Sequence, residues 1–421
     1  MNKILFRQIW NERRSNAWIW LELLLVSVVL WFVVDTSYVT LNTYFEPRGF
    51  DISNTYWIRV GTMTPKSPDY IDPSTRNVKA GSDILELLKR LRHFPDVEAV
   101  SLSYNSFPYN GSWSGTYAKI DTMGEECRIY KVSPDFLRVF RYHGSNGETP
   151  EKLATLLKEG VLIVGENLLT AKYGLKGKDI AGRSVYLSAD TTKVWPVVAV
   201  TKPVRFNDFV STYDCRYVMQ IYSEASAVNL TENDVRFLEL CIRTRPDCPP
   251  GFIDRLRNAS RSQFTIGNLL FEDVRSLDDI RCMLQLDDMN KLRDQMWGIG
   301  FLLFNIFLGL LGTFWFRTQQ RRSEMALHVS CGSTRREVFA RLIIEGLLLL
   351  VSATIIALFI DANIAYAEFI PQMNGSFLTV GRFLITTFIT FVLMSLMIVI
   401  GIWFPARQAM KIQPAEALRE E

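Results

Sequence analysis

Apolar runs near the two ends of the chain set its organisation. Four segments, Ala17 to Val34, Trp297 to Phe316, Leu342 to Ile360 and Phe383 to Phe404, come close to the ~20 apolar residues that a helix needs to cross about 30 Å of hydrocarbon. The second and fourth hold no charged residue. The first holds Glu22 and the third Glu345, each about one turn from the same end, and both are expected to snorkel toward the headgroups. The remaining polar residues of the spans, Asn305, Thr313, Ser352, Thr354, Thr386, Thr387, Thr390 and Ser395, look scattered, with no intramembrane charge pair.

Between the first and second runs the pattern changes to short alternating segments. Strands are expected over Tyr56 to Met63, Val97 to Tyr104, Cys127 to Val132, Val161 to Val164, Ser184 to Ser188, Val194 to Thr201, Tyr217 to Tyr222 and Val235 to Arg243. A helix is expected over Ser82 to Phe94, with Ser82 as its N-cap, and another over Glu166 to Tyr173, ended by Gly174. From Leu277 through Met296 the spacing of Ile280, Leu284, Met289 and Leu292 is helical, and neither Gly nor Pro separates it from the second run. One long helix, a rigid lever into span two, is the expectation. The fold class is thus a membrane protein of four transmembrane α-helices with a large α+β extracytoplasmic domain inserted between helices 1 and 2.

Charge gives the orientation, because basic residues in short loops stay on the cytoplasmic side. Lys3, Arg7, Arg13 and Arg14 precede span one, and Arg317, Arg321, Arg322, Arg335, Arg336 and Arg341 face only Glu324 and Glu337 between spans two and three. The expected order is a cytoplasmic amphipathic helix (1–16, with Leu5, Phe6, Ile9 and Trp10 as its apolar stripe), span one (17–34), the outer domain (35–296), span two (297–316), a cytoplasmic loop (317–341), span three (342–360), a short outer loop (361–382), span four (383–404) and a cytoplasmic tail (405–421). Span one reads as an uncleaved anchor, since Val33-Val34-Asp35-Thr36 lacks the small residues that a signal peptidase requires.

Composition agrees with a membrane protein: 48% of the 421 residues are hydrophobic, 22% are charged, and the net charge of +3 offers no general field for nucleic acid. Chemistry is sparse. With three histidines and six cysteines, none in a CxxC pair, the sequence offers neither HExxH nor a zinc framework, so no metal ligands and no catalytic residues are assigned. His93 and His143 read as surface residues. In Gly111-Ser112-Trp113-Ser114-Gly115 a tryptophan stands where a nucleophile elbow needs its serine, and the carboxylates of Asp278-Asp279 and Asp287-Asp288 diverge along a helix. No P-loop is present, so the chain holds no cofactor and any ATP it uses is hydrolysed elsewhere. Cys241 and Cys248 are near enough in sequence for a bridge, with free thiols as the alternative.

The segment between spans two and three is the most informative. Arg317 to Val329 continues span two as a charged helix, Gly332 breaks it, and Thr334-Arg335-Arg336-Glu337 fits a capping box. A short second helix should start at Arg335 and turn up into span three near Arg341, making a knob suited to docking on a cytoplasmic partner.

The run from Arg321 through Glu337, followed by Ile344-Glu345-Gly346-Leu347-Leu348-Leu349, resembles the R-x-E-I-G-x-x-x-A-L-G-A and I-E-A-L-L-L signature of MacB/FtsX-type permeases. His328 and Ser330-Cys331 depart from it. The tail is similar to that family's closing motif through Pro405, Ala406, Ala409, Pro414, Ala417, Leu418 and Arg419, and Val132 to Leu137 and Gly160 to Asn167 resemble segments of the MacB-like periplasmic core domain. The resemblance implies a permease subunit of an ABC transporter of the mechanotransmission kind in the bacterial inner membrane. A partner ATPase, which binds the ATP and magnesium, would dock on Glu324, Gly332, Thr334, Arg335 and Glu337 and drive periplasmic work such as efflux or lipoprotein or peptide export. It also implies a second permease subunit, in a homo- or heterodimer, and leaves open a periplasmic adaptor and an outer-membrane duct; the bilayer is a partner and nucleic acid is not. The alternative is an FtsX-like regulator that activates a cell-wall hydrolase or signals across the membrane without transport.

Overall fold

The computed structural model describes residues 13–76, 78–175, 177–188, 192–235, 237–321, 327, 330, 332–367 and 378–409. Helices of eight residues or more are α1 (Arg13–Phe45), α2 (Ala80–Arg92), α3 (Phe252–Gln263), α4 (Leu277–Leu284), α5 (Leu286–Gln320), α6 (Arg335–Tyr366) and α7 (Val380–Ala409). Strands are β1 (Thr55–Thr62), β2 (Val97–Tyr104), β3 (Gly115–Ile120), β4 (Met123–Val132), β5 (Leu162–Gly165), β6 (Ser184–Leu187), β7 (Val194–Thr201), β8 (Tyr217–Ile221), β9 (Leu238–Thr244) and β10 (Leu269–Ser276). The chain forms two compact units, a helical one from residues 1–42 and 290–421 and a domain from residues 43–289.

In the helical unit α1, α5, α6 and α7 are the four helices long and apolar enough to cross a membrane. Their shared core is aliphatic: Leu23, Leu30, Leu310, Leu350, Met394 and Ile398 are almost fully buried. Two helices approach closely in hydrocarbon only where side chains are small. On α6 Gly346, Ala353 and Ala357 provide that, and a Cβ on Gly346 would lie 3.0 Å from Ile398 and 3.1 Å from Ile402. Large apolar residues such as Phe301, Phe304, Phe359 and Phe388 point outward, an arrangement stable against lipid rather than water.

The inserted domain is one ten-stranded sheet in the order β10-β1-β9-β2-β4-β3-β6-β7-β5-β8, with a further parallel pairing of β4 to β8. That pairing closes six strands into a ring. The four antiparallel strands at the other end carry α2 and α3 against a core of Ile58, Ile84, Leu87, Leu240, Leu256 and Phe264. The ring has its own core, with Val164, Leu168, Val185, Val197 and Val218 inside. The β2–β4 junction is short, only Ser103↔Val132 and Tyr104↔Lys131.

A buried arginine locks one face of this sheet. Arg243 on β9 is fully buried; its Nε donates to Val139 O at 2.5 Å, Nη1 to Ser53 O at 2.8 Å and to Asp51 Oδ2 at 3.1 Å, and Nη2 to Asp51 O at 2.6 Å. Three carbonyls and one carboxylate satisfy the guanidinium, which is what burial of a permanent cation requires.

Several elements differ from the sequence expectation. The helix expected from Ser82 starts at Ala80 with Lys79 at its cap, and no side chain caps it. Only Thr170–Tyr173 of the second expected helix forms, because Glu166 is tied into the sheet by its N–H to Thr201 O; Gly174 does end it, at φ +67°. Val235 belongs to a short helix and β9 begins at Leu238. The expected lever is two helices, α4 and α5, separated at Gln285. The expected short helix at Arg335 does not turn near Arg341: α6 is one helix from Arg335 to Tyr366, since Val338 is buried in line with the rest and no breaker intervenes. Cys127, Cys215, Cys241, Cys248 and Cys282 are free thiols, so the Cys241–Cys248 bridge is absent. The expected helix at 1–16 lies outside the described residues up to residue 12.

Arg243→Met leaves the buried Val139 carbonyl and the part-buried Asp51 carbonyl without this donor, while Ser53 O keeps the Thr55 hydroxyl; with ~1–3 kcal/mol for a buried orphan, the full-length variant should lose about 1–3 kcal/mol in denaturant unfolding of the domain, while α-helical content is retained. Burial pushes the thiols of Cys127 and Cys215 up to about 12. Iodoacetamide at pH 8 should therefore modify Cys282 first and Cys248 next, and reach Cys127, Cys215 and Cys241 only after unfolding, as read by peptide mass spectrometry.

Candidate functional site

The loop that separates α5 from α6 is bracketed by an ion cluster. Glu345 of α6 is 5% exposed, and its two oxygens accept from Arg317 of α5 and from Arg321 just after it: Oε2 from Arg321 Nη1 at 2.7 Å and Oε1 from Arg317 Nη2. The carboxylate does not snorkel. It turns inward because two guanidinium groups at the end of α5 satisfy it, the condition for burying a charge. One turn before Arg317, Thr313 Oγ1 of α5 donates to both carboxylate oxygens of Glu22 of α1, at 3.1 and 3.0 Å.

The start of α6 follows the expected chemistry. Gly332 has φ +97°, a conformation glycine alone adopts readily. Two residues on, the Thr334 hydroxyl accepts from Glu337 N–H at 3.3 Å and the Glu337 carboxylate accepts from Thr334 N–H at 2.9 Å, a complete capping box. Gly332, Thr334 and Glu337 thus share one short turn, and Arg335 opens the helix by its backbone. Glu324 lies outside the described residues. Of the tail motif, Pro405, Ala406 and Ala409 are in α7, while Pro414, Ala417, Leu418 and Arg419 lie outside the described residues.

At the other end of the helical unit a second ion pair stands at the edges of expected spans one and four. Asp35 of α1 is fully buried and pairs with Arg382 of α7, Arg382 Nε lying 2.9 Å from Asp35 Oδ1 and Nη2 contacting Oδ2. Trp31 Nε1 donates to Thr386 Oγ1 at 3.1 Å beside this pair. Four of the polar residues that looked scattered, Thr354, Thr386, Thr387 and Thr390, gather here too. Ser27, Asp361, Thr387 and Thr390 line a void of about 10 Å³, around which Ser27 Oγ, Asp361 Oδ1 and Thr387 Oγ1 have no partner among the described residues. The visible signal was the placing of opposite charges at two apolar edges, Asp35 just after span one and Arg382 just before span four.

The inserted domain has a comparable centre at Asp208, which sequence reading passed over. Its buried carboxylate lies 3.2 Å from Arg48 Nε, 3.7 Å from Arg205 Nη2 and 3.6 Å from Arg281 Nη1, and it accepts from the Tyr109 hydroxyl at 2.9 Å. With its amide oriented to suit, Gln285 donates to Asp208 Oδ2 at 3.1 Å and accepts from Asp208 N–H at 2.9 Å. Turning that side chain inward is what ends α4. Arg205 in turn donates to Thr43 O and Tyr44 O, the unsatisfied last carbonyls of α1. One carboxylate therefore joins the segment by which the chain enters the domain to the segment by which it leaves. Burial beside this negative charge drives the Tyr109 phenol well above its usual value, so it stays a donor.

The remaining candidates take no part in a site. His93 caps α2 and is exposed, as is His143; Asp278, Asp279 and Asp287 are exposed on their helices. Among the described residues no group of three metal-ligating side chains occurs.

Residues 297–414 match the model of the family described as FtsX-like permease C-terminal. No curated protein matches the sequence. Among solved structures, a domain of a protein assigned as a permease from Porphyromonas gingivalis aligns with 16% identity over 55% of this chain and 92% of that one, at a TM-score of 0.36. The periplasmic region of MacB from Actinobacillus actinomycetemcomitans aligns with 13% identity over 57% of this chain and 97% of that one, at 0.33. The extracellular domain of the noncanonic ABC-type transporter YknZ from Gram-positive bacteria aligns with 12% identity over 52% of this chain and 100% of that one, at 0.30. The three helices that bracket the Glu345 cluster and the Thr334 turn lie largely within the residues that match the FtsX-like permease C-terminal model, in keeping with the MacB/FtsX-type resemblance of the loop and tail.

Proposed function

We propose that the chain is a permease subunit of an ABC transporter of the mechanotransmission type, working as a dimer with a second permease subunit in a bacterial inner membrane. The observation that carries this reading is the FtsX-like match over residues 297–414, which includes the turn at Gly332 to Glu337. A separate ATPase, holding ATP and magnesium, docks on that turn. Both termini and the basic loop face the cytoplasm, and the inserted domain faces the periplasm, as the distribution of arginine supports.

The cluster at Glu345 supports such a mechanism. A turn pushed by a nucleotide-driven partner moves whatever is rigidly joined to it. Arg317 and Arg321 join α5 to α6 by charge-assisted bonds that cannot slide without unpairing a buried carboxylate. α1 and α5 are also the two covalent routes into the inserted domain, where Asp208 joins Arg48, just after α1, to Arg281 of α4 and to Gln285, just before α5.

Affinity purification from gently solubilised membranes should retain a P-loop ATPase. Arg335→Ala with Glu337→Ala should abolish its stimulation, and Glu337→Gln, which keeps the capping box, separates loss of the contact from fraying of the helix. Retention of a wall hydrolase or sensor with no ATPase would instead favour the regulatory reading and sink this one. In the wild-type complex the Cys282 alkylation rate should change with nucleotide, and Asp208→Asn should remove that change while leaving ATPase recruitment and turnover intact; an unaltered change would rule out the role of Asp208.

A further inference from the structure

The wall of the domain beside the Asp208 centre holds a cleft of about 340 Å³, of a size for a small ligand. Polar groups make up most of the surface it presents; its apolar contact surface is the Trp113 ring, 60% exposed at the rim, with Phe50 and Phe206 beside it and Tyr130 and Tyr142 buried behind. Its cation is Arg128 of β4. The guanidinium lies 3.5 Å from the centre of the Phe206 ring and 5.5 Å from that of Trp113, so aromatic surface covers its faces and leaves the edge donors.

Arg128 is half-buried, yet it has no carboxylate within ion-pairing distance among the described residues. Its side-chain partner is the Tyr130 hydroxyl, and burial raises that phenol so that it stays neutral. The neighbouring arginines differ: Arg48, Arg205 and Arg216 each have an acid. Arg205, in the same wall, keeps a buried Nε without a partner. Asp288 is the acid among the lining residues, and it is already engaged. A cation removed from water without a counter-charge is costly, and an arriving anion would remove that cost.

The opposite wall is held in advance. Buried Glu239 accepts from Ser103 Oγ at 2.8 Å, Ser106 N–H at 2.8 Å, Phe107 N–H at 3.1 Å and Asn110 Nδ2 at 2.8 Å. These bonds fix a loop with three positive φ angles, 46° at Asn105, 66° at Tyr109 and 71° at Gly111. Strain of this kind persists only where the surroundings enforce it, and a wall already ordered loses little entropy on binding.

We propose that this cleft binds a carboxylate carried on a flat apolar body, the chemistry of a peptide C-terminus ending in an aromatic residue. The carboxylate pairs edge-on with Arg128 and the apolar body lies against the exposed Trp113 ring. The inference stands on the cleft alone and is independent of the permease reading.

The test is ligand-observed saturation-transfer NMR on the full chain in nanodiscs, titrated with N-acetyl-Ala-Phe as the free acid, with its C-terminal amide, and with octanoate. The free acid should bind saturably, at least tenfold tighter than the amide, and Arg128→Gln should erase that difference. Octanoate bound in an Arg128-dependent way, with the peptide acid excluded, would keep the carboxylate site but assign it to acyl chains. Equal binding of acid and amide, retention of the preference in Arg128→Gln, or no saturable binding of any probe overturns the proposal. If Arg128→Gln does not fold, Trp113→Ala at the exposed rim decides: severalfold weaker binding of the acid supports the cleft, and unchanged binding removes it.

Discussion

A charged carboxylate in hydrocarbon is costly unless a counter-charge meets it, and at both ends of the helical unit arginine does so. Glu345 is held between Arg317 and Arg321 beside the loop, and Asp35 by Arg382 at the opposite end. Neither pair is the cheapest way to fix a bundle, since well-packed apolar residues in the same places are often as stabilising or more so. What ionic pairs add is discreteness. Each carboxylate is satisfied in one arrangement of the helices and stranded in intermediate ones, so a helix pair joined in this way has a defined register rather than a continuum of slides.

The inserted domain repeats the theme in water. Asp208 gathers Arg48, Arg205 and Arg281, and Arg243 gathers three carbonyls and Asp51. The first centre fixes where the chain enters and leaves; the second fixes the sheet face. Between them is the cleft with Arg128, whose guanidinium is stacked on aromatic rings but has no acid. In a domain where the buried arginines Arg205 and Arg243 each have an acid, a half-buried arginine with none stands out on physical grounds.

What the sequence made legible was local. Thr334 and Glu337 are three residues apart, and a capping box needs nothing more distant than that, so it could be read and is present. β2 and β7 have the bounds that their alternation and β-branched residues predict. The failures all involve distant partners. Asp35 and Arg382 are 347 positions apart, and nothing in either neighbourhood names the other. Glu345 reads as a snorkelling acid until the arginines of α5 are seen to face it. The break at Gln285 has no Gly or Pro to announce it, because the cause is an inward hydrogen bond to Asp208. β3 and β10, with Lys119, Glu272, Asp273 and Arg275 among their residues, were masked by charges that the sheet leaves in solvent.

The closing of β4 onto β8 has one more effect. A ring presents no unpaired strand, so among the described strands the sheet keeps a single free edge, β10. That edge bears Glu272, Asp273 and Arg275, which are salt-bridged to Arg59, Arg257 and each other. A neighbouring copy adding its own strand there would have to strip water from those charges. Domains tethered to one membrane plane meet at high local density, and this edge chemistry keeps such encounters from growing into fibrils or intermolecular sheets.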